Sequence, residues 1–459
     1  MWDKTKSVLI NMKDYTLTFL KWLLLGSFVG ALCGPVGFLF SKALSFVTDL
    51  RSDNYWLVAL LPLGGMLSVA IYKLCRVSDV GTNRVLESIR TEKTVPALLF
   101  PAIFIGSVIT HLFGGSAGRE GAALQLGGSI SSMLCRLLHL NEKSRHVLTM
   151  CGMGAVFSAL FGTPLGACVF ALEVVSVGRV CSAAFFPCII ASITAFWIST
   201  TLGVTPESFP LQSVPEMQLG IMWKVIVVAI VCALVSILFC LALHTSEKLF
   251  RRFFKNEFLR IAVGGTIILL LTMAVGSMDY NGGGVNIIHH IFTHGEVRFE
   301  AFALKILFTA ITVGAGYKGG EIVPTMFIGG TLGGSLAILL GLDPGFGAAL
   351  GIAALFCGVT NCPLATMIIC IELFGSEGMI FFALSAIISF LLSGKASLYT
   401  KQKFIYSKLS EDVIATDEIK TELLTDTSAE PDTEPEMSVN AKSDDTIISS
   451  DSESDNGET

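Results

Sequence analysis

GMGAVFSALFGTPLGACVFALE, residues 152–173, returns without a gap as GIAALFCGVTNCPLATMIICIE, residues 351–372. Pro164-Leu165 falls on Pro363-Leu364, and in both copies a glutamate, Glu173 or Glu372, stands nine residues after the proline. A second echo precedes each copy: GREGAALQLGG, residues 118–128, corresponds to GEIVPTMFIGG, residues 320–330. Order and approximate spacing are kept between two halves of one chain, which is the mark of an internal duplication.

The surroundings of these passages are apolar. Of 459 residues, 52% are hydrophobic and 15% charged, and the mean hydropathy is +0.70. A soluble domain is nearer a quarter charged, so the chain reads as an all-α integral membrane protein. Val225–Leu243 is the clearest spanning run, Leu57–Tyr72 and Ile261–Val275 are shorter, and Met379–Leu392 reads as a partial span. Lys4, Lys6 and Lys13 precede the first long apolar run with no short apolar region and small-residue cleavage site. That pattern argues against a signal peptide and for a cytoplasmic N-terminus.

Charge divides the chain further. Leu409–Thr459 holds 16 acidic residues and 2 lysines, while residues 1–408 carry a net +8. The acidic segment has no aromatics and few apolar residues, so it is expected to be a disordered cytoplasmic tail. The expected organisation is a terminal segment over 1–18, a first membrane repeat over 19–204, a second over 205–408 and the tail over 409–459. The 12 cysteines form no CxxC pair, and most, such as Cys168, Cys188, Cys232 and Cys370, lie in apolar runs as small hydrophobes. No P-loop or HExxH occurs, so no metal or cofactor is expected, and no nucleic-acid partner.

Glycines and prolines interrupting apolar segments at matching places in two halves point to an ion site. Irregular backbone at membrane depth is tolerated only against protein or a water-filled cavity. A helix beginning there aims free N–H groups and its positive dipole end at whatever lies between, which suits an anion. Close helix packing is the competing explanation. It accounts for Gly127, Gly128, Gly329 and Gly330 but not for a glutamate beside them.

With these residues in view, the chain resembles the CLC chloride channels and proton-coupled antiporters. GREG at 118–121, FSALFGTPLGACVFALE, GYKGGEIVP at 316–324 and SLYTKQKFIYSK at 397–408 carry the resemblance, from about Phe19 to Lys408. It implies two inverted-topology halves, a homodimer with one pore per subunit, and both termini in the cytoplasm of a plasma-membrane protein. The departures point further. The first anion loop reads GTNRV at 81–85, Ala122 replaces the proline after GREG, GEIVP replaces GxFxP, and Val174 stands where exchangers often carry a second acid. These resemble the bacterial fluoride/proton antiporter branch, although Thr82 and Val323 differ from its usual residues.

The resemblance assigns roles. Glu120 is the expected gating and proton-carrying carboxylate: burial opposes its charge, helix N-termini favour it, and protonation releases it from the anion position. Glu321 is either a second proton-handling acid or a carboxylate satisfying a helix dipole. Asn83 either donates to the anion or organises its turn. Gly118, Gly121, Ile322 and Val323 are expected to line the anion site, Val323 through its backbone alone. Tyr399 is expected to turn its hydroxyl to the anion, where composition alone suggests an interfacial aromatic. Neighbouring side chains on a helix do not face each other, so Arg119 is expected to bond elsewhere in a structural role. His111 reads as a packed or capping histidine, with a proton relay as the alternative.

The expected function is export of fluoride in exchange for protons. The alternative is a chloride channel or chloride/proton exchanger of the same family. An intramembrane enzyme built on Glu120, Glu321 or His111 would need a nucleophile or metal cluster beside them, and none is apparent. A scaffold recruiting a partner through the acidic tail is a third class.

Overall fold

The computed structural model describes residues 2–77, 81–405, 407 and 408, with side chains from residue 13 onward. The expected acidic tail, 409–459, lies outside the described residues. The first half runs α1 (Trp2–Asp53), α2 (Leu61–Leu74), α3 (Thr82–Ser88), α4 (Leu99–Leu112), α5 (Glu120–Leu137), α6 (Glu142–Phe161), α7 (Pro164–Glu173) and α8 (Phe185–Thr201). The second runs α9 (Leu219–Phe253), α10 (Glu257–Val275), α11 (Val285–His294) and α12 (Ala301–Ala315). It ends with α13 (Ile322–Leu340), α14 (Pro344–Thr360), α15 (Pro363–Phe374) and α16 (Met379–Leu392). The described fold is therefore mostly helical. The departure is a two-residue parallel ladder of β1 (Ser176–Val177) with β2 (Lys403–Phe404), which fastens the end of the first half to the segment after α16.

Six helical stretches, 13–53, 55–74, 182–201, 219–253, 257–275 and 322–340, are long and apolar enough to cross a membrane. Several others, including α7 and α15, are too short to span a bilayer core of about 30 Å. Short helices expose their ends at depth, and the sequence answers this with local signals. Asn141, Asn256 and Asp343 cap α6, α10 and α14, accepting the N–H groups of Ser144, Phe258 and Phe346 at 3.0, 2.9 and 2.8 Å. Proline occupies the first turn of α7, α14 and α15, where its missing N–H costs no helical bond.

The two repeat glutamates resolve the ends of α7 and α15. Glu173, the last residue of α7, accepts the N–H groups of Leu364 and Ala365 at 3.2 and 2.8 Å. Glu372, near the end of α15, accepts those of Leu165 and Gly166 at 2.9 and 2.8 Å. Each carboxylate thus caps the helix of the other half, satisfying orphan donors at a positive dipole end. Both repeat acids are thus engaged at helix ends in the opposite half.

The core runs through α6 and α14, which are buried along nearly their whole second half and whole length respectively. α5 lies on α6 and α13 lies on α14 in glycine-to-glycine contact. A Cβ on Gly127 would stand 1.9 Å from the Gly152 carbonyl oxygen, and one on Gly329 would stand 2.5 Å from that of Gly351. No side chain fits between these backbones, so the glycines set how closely α5 and α13 seat.

Candidate functional site

Like most of the described helices, α5 and α13 begin without a side-chain cap. The residues before them, Arg119 and Glu321, make no side-chain cap bond. Their first N–H groups therefore remain with the positive end of each helix dipole. The strands of chain leading in are joined by a reciprocal pair of bonds. Gly118 N–H donates to the Gly320 carbonyl at 2.6 Å, and Gly320 N–H donates back at 2.8 Å. A Cβ on Gly320 would lie 2.3 Å from Gly121 N, so only glycine permits this approach.

Both acids flank this junction. Glu120 is fully buried, and its Oε2 accepts the Arg119 N–H at 3.1 Å. Glu321 is partly buried, and its Oε2 stands 3.5 Å from the place a Cβ of Gly121 would occupy. Ile322 and Val323 are buried at the first turn of α13, with the Val323 side chain packed against Gly118 and Gly283.

Arg119 departs from expectation. Its Nε donates to Glu120 Oε1 at 3.3 Å while its Nη2 donates to Glu207 Oε1 at 2.5 Å. Arg119 is the residue just before α5, and its side chain reaches both Glu120 beside it and Glu207 farther along the chain. Glu207 also lies 3.6 Å from His289 Nε2.

On the other side of Gly121 stand α3 and the segment after α16. Thr82 Oγ1 donates to the Gly121 carbonyl at 3.3 Å, and Gln125 Nε2 donates to both at 3.3 Å. Asn83 accepts the Lys401 N–H through Oδ1 at 3.1 Å, so it ties α3 to the Tyr399 segment. Tyr399 is buried, its hydroxyl has no hydrogen-bond partner among the described residues, and it lies within electrostatic reach of Glu321, Cys362 and Glu120. Beneath it Gln402 accepts from Ser397 and Asn361 and donates to the Thr360 carbonyl. The Tyr399 hydroxyl is one of nine such buried hydroxyls among the described residues, and it is set apart by its place near Glu120 and Glu321.

A cleft of about 940 Å³ opens beside Gly118, Arg119 and Val323 and is lined by Arg51, His111, Glu207 and Asn286 among others. His111 is buried, with Nδ1 paired to the Ser107 carbonyl at 2.8 Å and its own carbonyl accepting from Arg51. Sequence reasoning missed Gln125, Glu207, Arg51 and Lys305. Lys305 was detectable as the one charge in the apolar run AFALKILFTAITVGA. Gln125 sits four residues after Gly121, hence above it on one helix face. Glu207 lies in a stretch with no periodicity, which offered no signal.

Two helices meeting by their N-termini within a membrane fold, with a buried carboxylate between them, define a membrane protein that passes small anions. The chain belongs to the voltage gated chloride channel family, the CLC proteins, whose family model matches residues 64–394. It is 36% identical to a "Chloride/fluoride channel protein" of Pseudomonas syringae pv. tomato over 84% of this chain and 87% of that one. It is 24% identical to the "H(+)/Cl(-) exchange transporter ClcA" of Vibrio campbellii, over 84% and 90%. Among solved structures it resembles a CLC-type fluoride/proton antiporter, with TM-score 0.82 and 34% identity over 84% of this chain and 98% of that one. A slow cyanobacterial chloride/proton antiporter shares the fold, with TM-score 0.70 and 20% identity over 88% and 97%.

Proposed function

We propose that this CLC protein exports fluoride in exchange for protons. The observation that carries the reading is the Gly118–Gly320 junction, which joins the uncapped starts of α5 and α13 with Glu120 at one and Glu321 at the other. The similarity to a chloride/fluoride channel protein and to a fluoride/proton antiporter of solved structure supports the choice of ion.

Glu120 as a carboxylate competes with an anion for the same N–H groups, and as a neutral acid it withdraws. Proton and anion then occupy linked states, which is the condition for exchange. Fluoride is small and strongly hydrated, so it exchanges its water only for short, strong donors. The Tyr399 hydroxyl, without a partner among the described residues, and the N–H groups of Gly121, Ile322 and Val323 supply them. Asn83, bound through its oxygen, keeps its amide N–H₂ for a ligand. Glu321 serves as the second proton-handling acid.

The assembly we assign is a homodimer with one pore per subunit, the two repeats bounded near residues 204 and 408, and both termini in the cytoplasm. Lys4, Lys6 and Lys13 support that orientation.

The test is ion flux from proteoliposomes with pH recorded. Fluoride efflux well above chloride, with protons moving oppositely, is expected. Equal efflux of both anions, or fluoride movement without protons, assigns the chain to the chloride channel or chloride/proton exchanger reading instead.

A further inference from the structure

Two buried cations stand close to the cleft beside Arg119: Arg51 lines it, and Lys305 sits behind the 280–284 loop. Lys305 is fully buried and Arg51 is 7% exposed. Neither has a carboxylate within salt-bridge distance among the described residues. Lys305 Nζ donates to the carbonyls of Tyr280 and Gly282 at 3.1 and 2.7 Å. Arg51 donates through Nη1 to the His111 carbonyl, and its Nη2 stands 3.0 Å from where a Cβ of Gly282 would lie. Buried cations of this kind are ordinarily paired, because an uncompensated charge is costly to bury.

Both cations back onto one loop. Residues 280–284 pack on the strand leading into α5: Gly282 N–H donates to the Gly115 carbonyl at 3.1 Å, and Asn281 Nδ2 to that of Gly114 at 2.7 Å. Gly282 and Gly284 hold φ of +63° and +85°, a conformation that turns consecutive N–H groups to one side. Gly284 then opens α11, whose N-terminus faces the same cleft, with no side-chain cap bond. Gly283 approaches Val323 so closely that a Cβ there would lie 3.2 Å from Cγ1. The loop is therefore one residue's width from the start of α13.

We propose that the Tyr280–Gly284 loop and the start of α11, with Arg51 and Lys305 behind them, form an anion-holding station in the cleft, one step outside Glu120. Its occupant is a small hydrated halide. Arg51 and the N–H groups of Gly283 and Val285 are the donors. Lys305 ties up two carbonyl oxygens of the loop that would otherwise repel an anion and adds its charge from within. The station raises the local halide concentration where Glu120 competes for the same ion. It rests on the anion-exchange reading above, in that the halide it holds is the one transported.

The experiment measures initial halide efflux against halide concentration in proteoliposomes, with sodium fluoride and sodium chloride as probes and proton movement recorded in parallel. Lys305→Met is expected to raise the half-saturating halide concentration about tenfold, with the proton-to-anion ratio unchanged. Lys305→Arg should restore part of the loss. Because removal of a buried lysine can unfold the protein, the exposed Asn286 at the mouth of the station provides a second pair. Asn286→Asp should raise half-saturation and Asn286→Lys lower it, each about two- to threefold at low salt, with the difference shrinking as ionic strength rises. Unchanged half-saturation in folded Lys305→Met, or shifts of the same sign in both Asn286 variants, overturns the station. Loss of proton coupling in the unaltered protein overturns only the antiport reading, since half-saturation is read for whichever halide moves.

Discussion

Arg119 holds Glu120 and Glu207 at once, at 3.3 and 2.5 Å. One guanidinium thus shares its charge between the acid at the anion junction and an acid that faces the cleft. Whatever weakens its grip on Glu207 strengthens its grip on Glu120.

Glu207→Gln is therefore expected to favour the ionised form of Glu120 twice over, by freeing Arg119 and by removing a like charge nearby. Protonation of Glu120 then requires lower pH. The pH of half-maximal exchange should move in the acidic direction, measured as proton-coupled fluoride flux over a pH series. A basic shift would contradict this arrangement.

Glu120→Gln removes the group that both ionises and occupies the anion position. Anion movement is expected to persist while proton coupling is lost, read as fluoride flux that no longer acidifies or alkalises the vesicle interior. Undiminished proton exchange would remove Glu120 from its role.

Tyr399→Phe deletes a buried hydroxyl that has no partner among the described residues. Fold stability is expected to stay level or rise slightly, since no hydrogen bond is lost. Fluoride half-saturation should rise about tenfold, the equivalent of one strong hydrogen bond of about 1.4 kcal/mol. Melting in detergent together with flux separates the two readouts, and a fall in stability with unchanged half-saturation would assign the hydroxyl a structural part instead.

Glu173→Gln tests the opposite case, an intramembrane acid with a structural task. Two charge-assisted bonds to the start of α15 become weaker neutral ones, so stability should fall by about 1–3 kcal/mol. The proton-to-anion ratio should not change. An altered ratio would place Glu173 on the proton route.

Gly320→Ala puts a methyl group 2.3 Å from Gly121 N, against backbone that cannot yield without parting the starts of α5 and α13. Transport should be lost with destabilisation of about 1–3 kcal/mol. Gly341→Ala is a useful contrast: nothing lies within 4 Å of its Cβ position, although its φ of +64° carries a backbone cost.

Much of this was legible in the chain before any coordinates. The duplicated passages gave the architecture, because proline and glycine at matching positions say where apolar helices stop short. Met379–Leu392 even matches α16 end to end. The positions of Glu120 and Glu321 followed from glycine runs that leave helix N-termini uncapped. What did not follow was partnership at long range. Asn83 with Lys401, Thr82 with Gly121, and Glu173 with Leu364 are separated by 318, 39 and 191 residues, and no local spacing encodes such pairs. The repeat glutamates illustrate the difficulty. An acid inside a membrane segment invites an ionic function, yet a reciprocal cap uses the same charge for a different end, and only the fold distinguishes them.

That reciprocity has a consequence for how the molecule is built. The instruction for finishing α7 is written on α15, and the instruction for finishing α15 is written on α7. Neither half of the gene encodes a self-sufficient object: a fragment ending after α8 would leave its own helix end bare in lipid, and so would the remainder. Two fragments made together should find each other for that reason, as two identical ancestors would have done before fusion. A change at residue 173 is suffered not by the half that carries it but by the other.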